Sequence, residues 1–147
     1  MTGIWYLENH KIWVLASSDH SLYLECDYLM SEKTKSPYDG VKLDGHLKRV
    51  TEVTEIVLPK LMASCSLDGS IKLWDLNDKI LIIELKDNST IRGIRGMCYS
   101  YEYGGNLLSF GFETHINVWC PEVSLTRSYI GKLEGHTSTI VCIKFVP

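Results

Sequence analysis

The sequence lacks any apolar run approaching the roughly 18 residues that a membrane-spanning helix requires. Its first residues, MTGIWYLENHK, contain neither a basic segment nor an unbroken apolar stretch, so we predict no secretory signal. No apolar stripe with the helical period is present either, which predicts that helix is nearly absent. These absences argue against a membrane protein and against a helical fold.

An excess of positive charge is also missing. Lys and Arg number 15 and Asp and Glu number 18, which gives a formal net charge of −3 at pH 7. Proteins that bind nucleic acid or an anionic membrane surface usually present a strongly basic patch or a high isoelectric point. We therefore predict that neither nucleic acid nor a membrane is a partner.

The five cysteines are odd in number and form no C-x-x-C pair, so they do not indicate a disulfide framework. They are Cys26, Cys65, Cys98, Cys120 and Cys142. Cys65 and Cys142 stand inside strand-like runs, where a free cysteine behaves as a small buried hydrophobe. This usage predicts a reducing, cytoplasmic location without disulfides or a cysteine metal site.

What the sequence does contain is a stretch from Leu43 to Leu76 that opens with Gly45-His46 and closes with Trp74-Asp75. Runs rich in β-branched and apolar residues predict strands at Val50–Val57, Leu61–Ser66 and Ile71–Trp74. Asp68-Gly69 lies between the last two runs, and an Asp-Gly pair in this position is a strong signal for a β-hairpin. The stretch predicts a meander of short antiparallel strands.

The same pattern recurs along the chain, which indicates a repeat protein. Placing Asp68 over Asp19 aligns ASCSLDGSIKLW with VLASSDHSLYLE. Placing Trp74 over Trp119 aligns the same window, ASCSLDGSIKLW, with the segment that ends INVW. Gly135-His136 then opens a further unit, LEGHTSTIVCIKFVP. Further strands are predicted at Thr2–Tyr6, Ile12–Ser17, Ser21–Cys26, Val41–Asp44, Ile80–Leu85, Met97–Tyr99, Leu107–Phe110, Ile116–Trp119, Tyr129–Leu133 and Ile140–Val146.

Gly-His, Ser-Leu-Asp-Gly and Trp-Asp in this order within one window resemble a complete WD repeat, the blade of a β-propeller. The resemblance implies an all-β, incomplete WD-repeat propeller of about three four-stranded antiparallel blades plus the first strand of a fourth. The implied limits are residues 2–44, 45–86 and 87–134 for the three blades and 135–147 for the beginning of the fourth.

Three blades and one strand are too few to close a ring, because closed propellers have about four to eight blades. Closure is also what protects the sheet edges from unwanted pairing. We therefore expect either the remainder of a larger propeller or another chain to complete the ring, and we favour the first.

The resemblance implies a structural tetrad of His46, Ser66, Asp68 and Trp74, linked by hydrogen bonds. Histidine, serine and aspartate are also the residue types of a nucleophilic triad. No nucleophile-elbow sequence accompanies them, so the structural interpretation is favoured and we predict no enzymatic activity. By alignment, the first blade keeps Ser17 and Asp19 with Glu25 in the tryptophan place. The third keeps Trp119, with Gly111, Glu113 and Asn88 in the other places.

WD-repeat propellers present the loops of one face to protein partners. When that face is carried over by position, it would include Lys48, Arg49, Arg92, Arg95 and His115. The alternative is that the arginines are solvated loop residues. The histidines in the predicted turns have no other ligand types clustered around them, which predicts no metal site. No glycine is followed by the Lys-Ser/Thr of a phosphate loop, so we predict no cofactor.

Together these features predict a non-enzymatic protein-interaction scaffold. Gly93–Val141 is further similar to blades of EF-hand-plus-WD-repeat proteins of motile cilia. That resemblance would imply an axonemal or cytoskeletal role with tubulin or other axonemal proteins as neighbours, although no calcium-binding loop sequence is present. The alternative function is a substrate-recognition subunit of a ubiquitin ligase or another enzyme complex, against which stands the lack of an F-box-like helical segment.

Overall fold

The computed structural model of the chain describes residues 1–26, 40–57, 60–87, 92–102, 104–121 and 128–146. These residues form strands and turns and contain no helix, so none of them provides a helix that could cross a membrane. The strands are β1 (Gly3–Leu7), β2 (Ile12–Ala16), β3 (Leu22–Cys26), β4 (Val41–Leu43), β5 (Val50–Ile56), β6 (Leu61–Ser66), β7 (Ser70–Asp75), β8 (Ile80–Lys86), β9 (Ile94–Ser100), β10 (Asn106–Gly111), β11 (Ile116–Trp119) and β12 (Tyr129–Leu133).

The twelve strands form three sheets of four, each joined in sequence order. The first contains β1 to β4, the second β5 to β8 and the third β9 to β12, and every pair of neighbours is antiparallel. The all-β fold class and the four-stranded antiparallel blades are thereby confirmed. We name the sheets blades 1, 2 and 3.

The hairpin between β6 and β7 shows how the local sequence sets the chain direction. Gly69 adopts a φ of +83°, which a residue with a Cβ rarely tolerates. Its N–H donates to the Ser66 carbonyl oxygen at 3.1 Å, and the Ser70 N–H donates to the Asp68 carboxylate at 2.8 Å. The turn therefore brings β7 back along β6, with Cys65 opposite Ile71.

Blade 2 is covered on both faces. One face, which includes Met62 and Trp74, packs on apolar residues of blade 1 such as Val14. The other face, which includes Ala63 and Ile71, packs on apolar residues of blade 3. Every residue of β6 is buried, so its apolar residues do not alternate with polar ones as they would in a half-solvated sheet.

The outward faces of blades 1 and 3 lack such a cover among the described residues. On blade 3, Val118 is half-buried and Leu133 is 52% exposed. Their counterparts in blade 2, Leu73 and Leu85, are 1% and 3% exposed. On blade 1, Trp13 is exposed. An apolar sheet face of this kind requires a partner, so the ring-completing blades or chain stay part of our prediction.

The predicted strand Ile140–Val146 is wrong, because residues 134–146 form no regular secondary structure. A strand exists only through hydrogen bonds to a neighbour, and no described strand pairs with these residues. The loop predicted at Asp27–Gly40 lies, apart from Gly40, outside the described residues.

Candidate functional site

A buried chain of hydrogen bonds holds the loop between β4 and β5 against the hairpin of β6 and β7. The Trp74 indole N–H donates to Ser64 Oγ at 2.8 Å, and Ser64 Oγ lies 2.8 Å from His46 Nε2. His46 Nδ1 lies 3.2 Å from an Asp68 carboxylate oxygen. The structure thus brings His46, Asp68 and Trp74 together through a serine.

That serine is Ser64, and the prediction of Ser66 is wrong. Both residues lie on the same face of β6, but Trp74 stands opposite Met62, so its indole reaches the next same-face residue, which is Ser64. Ser66 lies at the strand end, where its hydroxyl donates to the Lys48 carbonyl oxygen at 3.0 Å and accepts from the Asp68 N–H at 3.1 Å.

The spacing of ten residues between serine and tryptophan recurs in blade 3. The Trp119 indole N–H donates to Ser109 Oγ at 2.9 Å. Ser109, and not Gly111, therefore holds the serine place in that blade. This recurring spacing was the sequence signal that would have found Ser64. In blade 1, Glu25 stands in the tryptophan place. The residue ten positions before it is Leu15, which has no hydroxyl.

The directions of the hydrogen bonds follow from what each group can donate. The indole N–H is a donor only, so Ser64 Oγ accepts from it and directs its own hydrogen to His46 Nε2. Nδ1 then carries the imidazole proton and donates it to the Asp68 carboxylate. A neutral histidine with its proton on Nδ1 satisfies every member of the chain.

Asp68 ends the chain as a strongly stabilised carboxylate. Burial alone would raise its pKa, but hydrogen bonds from His46, the Ser70 hydroxyl and the N–H groups of Leu47 and Ser70 hold the pKa well below its usual range. Leu47 N–H donates at 2.8 Å. The ionised form of Asp68 is therefore the one that fits the folded structure.

This depressed pKa predicts a loss of stability in acid. A carboxyl whose pKa is lower in the folded state contributes stability above its unfolded pKa of about 3.9, and the contribution is lost as the pH falls through the folded value. Asp68→Asn should therefore be less stable than wild type near neutral pH and should lose less stability below about pH 5. Urea midpoints measured across this range would show it.

Asp78→Asn is the matched control, because Asp78 is exposed and its backbone N–H, not its carboxylate, forms the bond to the Asp75 carboxylate at 3.2 Å. That variant should follow the wild-type pH dependence. Equal acid sensitivity of wild type and Asp68→Asn would contradict the assignment of Asp68.

The residues predicted to face partners all lie at one end of blades 2 and 3. Lys48, Arg49, Arg92 and Arg95 are exposed and precede or begin β5 and β9, whereas His115 is half-buried in the turn before β11. We name this end, defined by these five residues, the loop face. It is the end at which His46 and Asp68 fasten the loops.

Contacts between blades 1 and 2 were not predicted. Asn9 donates from its N–H and its amide to the Glu55 carboxylate at 3.2 and 2.9 Å, and His10 Nδ1 contacts the same carboxylate. Trp5 likewise donates to Glu52 at 2.7 Å. These bonds join blade 1 to β5 of blade 2. Nothing in the local sequence of either partner signals them.

Metal-ligating side chains are not grouped anywhere in the described residues in a way that could hold an ion. The four cysteines whose side chains are described, Cys65, Cys98, Cys120 and Cys142, are free thiols. Burial raises the pKa of the Cys65 thiol to about 12, so this thiol is un-ionised and inert.

Three consecutive four-stranded antiparallel sheets, packed face to face and carrying a Trp–Ser hydrogen bond in blades 2 and 3, define a blade-repeat protein of the propeller type. Residues 40–75 match the family model described as "WD domain, G-beta repeat". The chain therefore contains a WD repeat within residues 40–75.

Curated relatives are WD-repeat proteins of varied kinds. Protein SPA1-RELATED 3 of Arabidopsis thaliana is 27% identical over 81% of this chain and 15% of its own length. Nuclear distribution protein PAC1 of Candida tropicalis is 31% identical over 61% of this chain and 18% of its own. F-box/WD repeat-containing protein 4 of Mus musculus is 29% identical over 56% of this chain and 20% of its own. The chain thus spans less than a quarter of each of these relatives.

Proposed function

We propose that the chain is part of a non-enzymatic scaffold that binds other proteins through the loop face. The observation that carries this proposal is the exposure of Lys48, Arg49, Arg92 and Arg95 together at one end of two packed blades. WD repeats generally mediate protein–protein interactions. Side chains presented on a rigid support lose little freedom on binding, which favours affinity.

The tetrad supports these loops rather than carrying out chemistry. Ser64 is completely buried, and its hydroxyl lies between the Trp74 indole and the His46 ring. A nucleophile must reach a substrate, and this hydroxyl cannot do so without opening the blade. The arrangement therefore favours a structural role for His46, Ser64 and Asp68, although these are the residue types of a nucleophilic triad.

A cytoplasmic location is part of the proposal, and the free thiols support it. The axonemal role, with tubulin or other axonemal proteins as partners, stays a prediction from the sequence of blade 3. The names of the relatives reported above do not mention cilia, so they add no support to it.

A second candidate is a substrate-recognition subunit of a ubiquitin ligase. The similarity to an F-box/WD repeat-containing protein favours it. In this function the loop face would hold a protein substrate instead of a structural neighbour. Both candidates use the same surface and differ in the class of protein bound.

Proximity labelling with the tagged full chain in cells tests the proposal. Wild type should label a reproducible set of proteins, and a triple variant with Arg49, Arg92 and Arg95 changed to Gln should label them several-fold less. The matched control changes Lys11, Lys60 and Lys79 to Gln, which removes the same charge from the β1–β2, β5–β6 and β7–β8 turns at the end opposite the loop face. Structural proteins among the partners would support the scaffold, and ligase components would support the second candidate. Labelling that both variants reduce equally, or that never exceeds background, would show the proposal to be wrong.

A further inference from the structure

A pocket of about 350 Å³ lies on the loop face at the seam between blades 2 and 3. Arg49, Thr51 and Leu67 of blade 2 line it on one side, and Arg95 and Phe112 of blade 3 line it on the other. The pocket thus combines two cationic side chains with two apolar ones. Neither blade alone contains both arginines.

The two guanidinium groups are not neutralised within the described part of the chain. Arg49 donates from Nη2 to the Thr2 carbonyl oxygen at 3.3 Å, and the Arg95 guanidinium lies over the Phe112 ring at 5.4 Å from its centroid. The ion pairs that the described residues form involve other cations, such as Lys42 and Lys72. In a chain with more acidic than basic residues, two neighbouring arginines without a carboxylate partner leave a local positive site.

The walls of the pocket are fixed by bonds across the seam. Thr51 Oγ1 donates to the Ile94 carbonyl oxygen at 2.8 Å, which occupies its hydrogen and joins β5 to β9. Within blade 2, the Leu67 N–H donates to the Arg49 carbonyl oxygen at 3.0 Å. Gly93 packs so closely on Leu67 that a Cβ there would lie 2.5 Å from the Leu67 carbonyl oxygen. Among the lining side chains, Arg49 and Arg95 therefore supply the cationic donors.

We propose that this pocket binds a glutamate or aspartate side chain of an extended segment in a protein partner, with a neighbouring apolar side chain packed on Phe112. The inference rests on the proposed function and names the chemistry of the partner. A planar guanidinium matches a carboxylate in a fork of two parallel hydrogen bonds, and the Phe112 ring holds the Arg95 guanidinium at the pocket. The apolar lining favours a side chain that carries methylene groups beside its charge, as glutamate does.

Fluorescence polarisation with the full chain tests the inference. The probe is a short labelled peptide of alternating glutamate and leucine, and the matched peptide has glutamine for glutamate. The glutamate peptide should bind, and its affinity should fall with added salt because exposed charges are screened. Arg49→Gln combined with Arg95→Gln should weaken binding by about tenfold or more, as the loss of charge-assisted hydrogen bonds requires.

The control variant changes both Lys11 and Lys60 to Gln, because these are exposed cations in turns at the end opposite the loop face. It should bind the glutamate peptide like wild type. Equal affinity for the glutamine peptide, an unaffected double variant, or binding confined to a phosphoserine peptide or an oligonucleotide would each overturn the inference. Unchanged melting of the double variant excludes unfolding as the cause. If the double variant still labels the same proteins in cells, the pocket assignment fails while the scaffold proposal stands.

Discussion

Ser64→Ala should lower the free energy of unfolding by about 2–4 kcal/mol, because it leaves two buried polar groups without a partner. The Trp74 indole N–H loses its acceptor, and His46 Nε2 loses its donor. Both sites are closed to water, since Ser64 is 0% and Trp74 2% exposed. The cavity left by one hydroxyl is too small to hold a replacing water.

Urea unfolding followed by circular dichroism measures the loss of stability, and two further serine variants serve as comparisons. Ser109→Ala removes a single hydrogen bond, to Trp119, and should cost about 1–3 kcal/mol. Ser66→Ala keeps the Trp74 bond, so slow exchange of the Trp74 indole hydrogen should persist in it and be lost in Ser64→Ala. Fast indole exchange in Ser66→Ala, with slow exchange in Ser64→Ala, would show that the assignment of Ser64 is wrong.

Gly93→Ala should be destabilising by about 3–5 kcal/mol, through two separate causes. Gly93 has a φ of +95°, which strains any residue that carries a Cβ. The added Cβ would also lie 2.5 Å from the carbonyl oxygen of Leu67, which belongs to the hairpin turn and cannot rotate away. The substitution should therefore push blade 3 from blade 2 at the loop face.

Gly104→Ala separates the two causes. Gly104 has a similar φ of +82°, but the nearest atom to its Cβ would be the side-chain amide of Asn106 at 3.8 Å. This variant should cost only about 1–2 kcal/mol, from the backbone strain alone. Thermal melting of both variants checks the comparison. Equal melting temperatures would mean that the contact between Gly93 and Leu67 does not matter for stability.

Local sequence was sufficient to predict most strands, since hairpin geometry depends on neighbouring residues. β6 has the predicted limits, Leu61–Ser66, and the Asp68-Gly69 turn follows it. The strand predicted at Ile140–Val146 failed because its existence depends on a neighbour that local sequence does not provide. The choice between Ser64 and Ser66 failed because both lie on the same face, and only the position of Trp74 across the sheet separates them.

By itself the sequence determined the repeat and the all-β class, because the hairpin signals are local and recur along the chain. The resemblance to WD repeats implied three members of the buried hydrogen-bond chain. Tertiary structure alone decided which serine completes that chain and which residues of different blades meet. Arg49 and Arg95 line one pocket, and Glu55 contacts Asn9 and His10, only because the blades pack face to face. The packing of buried apolar faces fixes these positions, and no local pattern encodes a distance between residues so far apart in the chain.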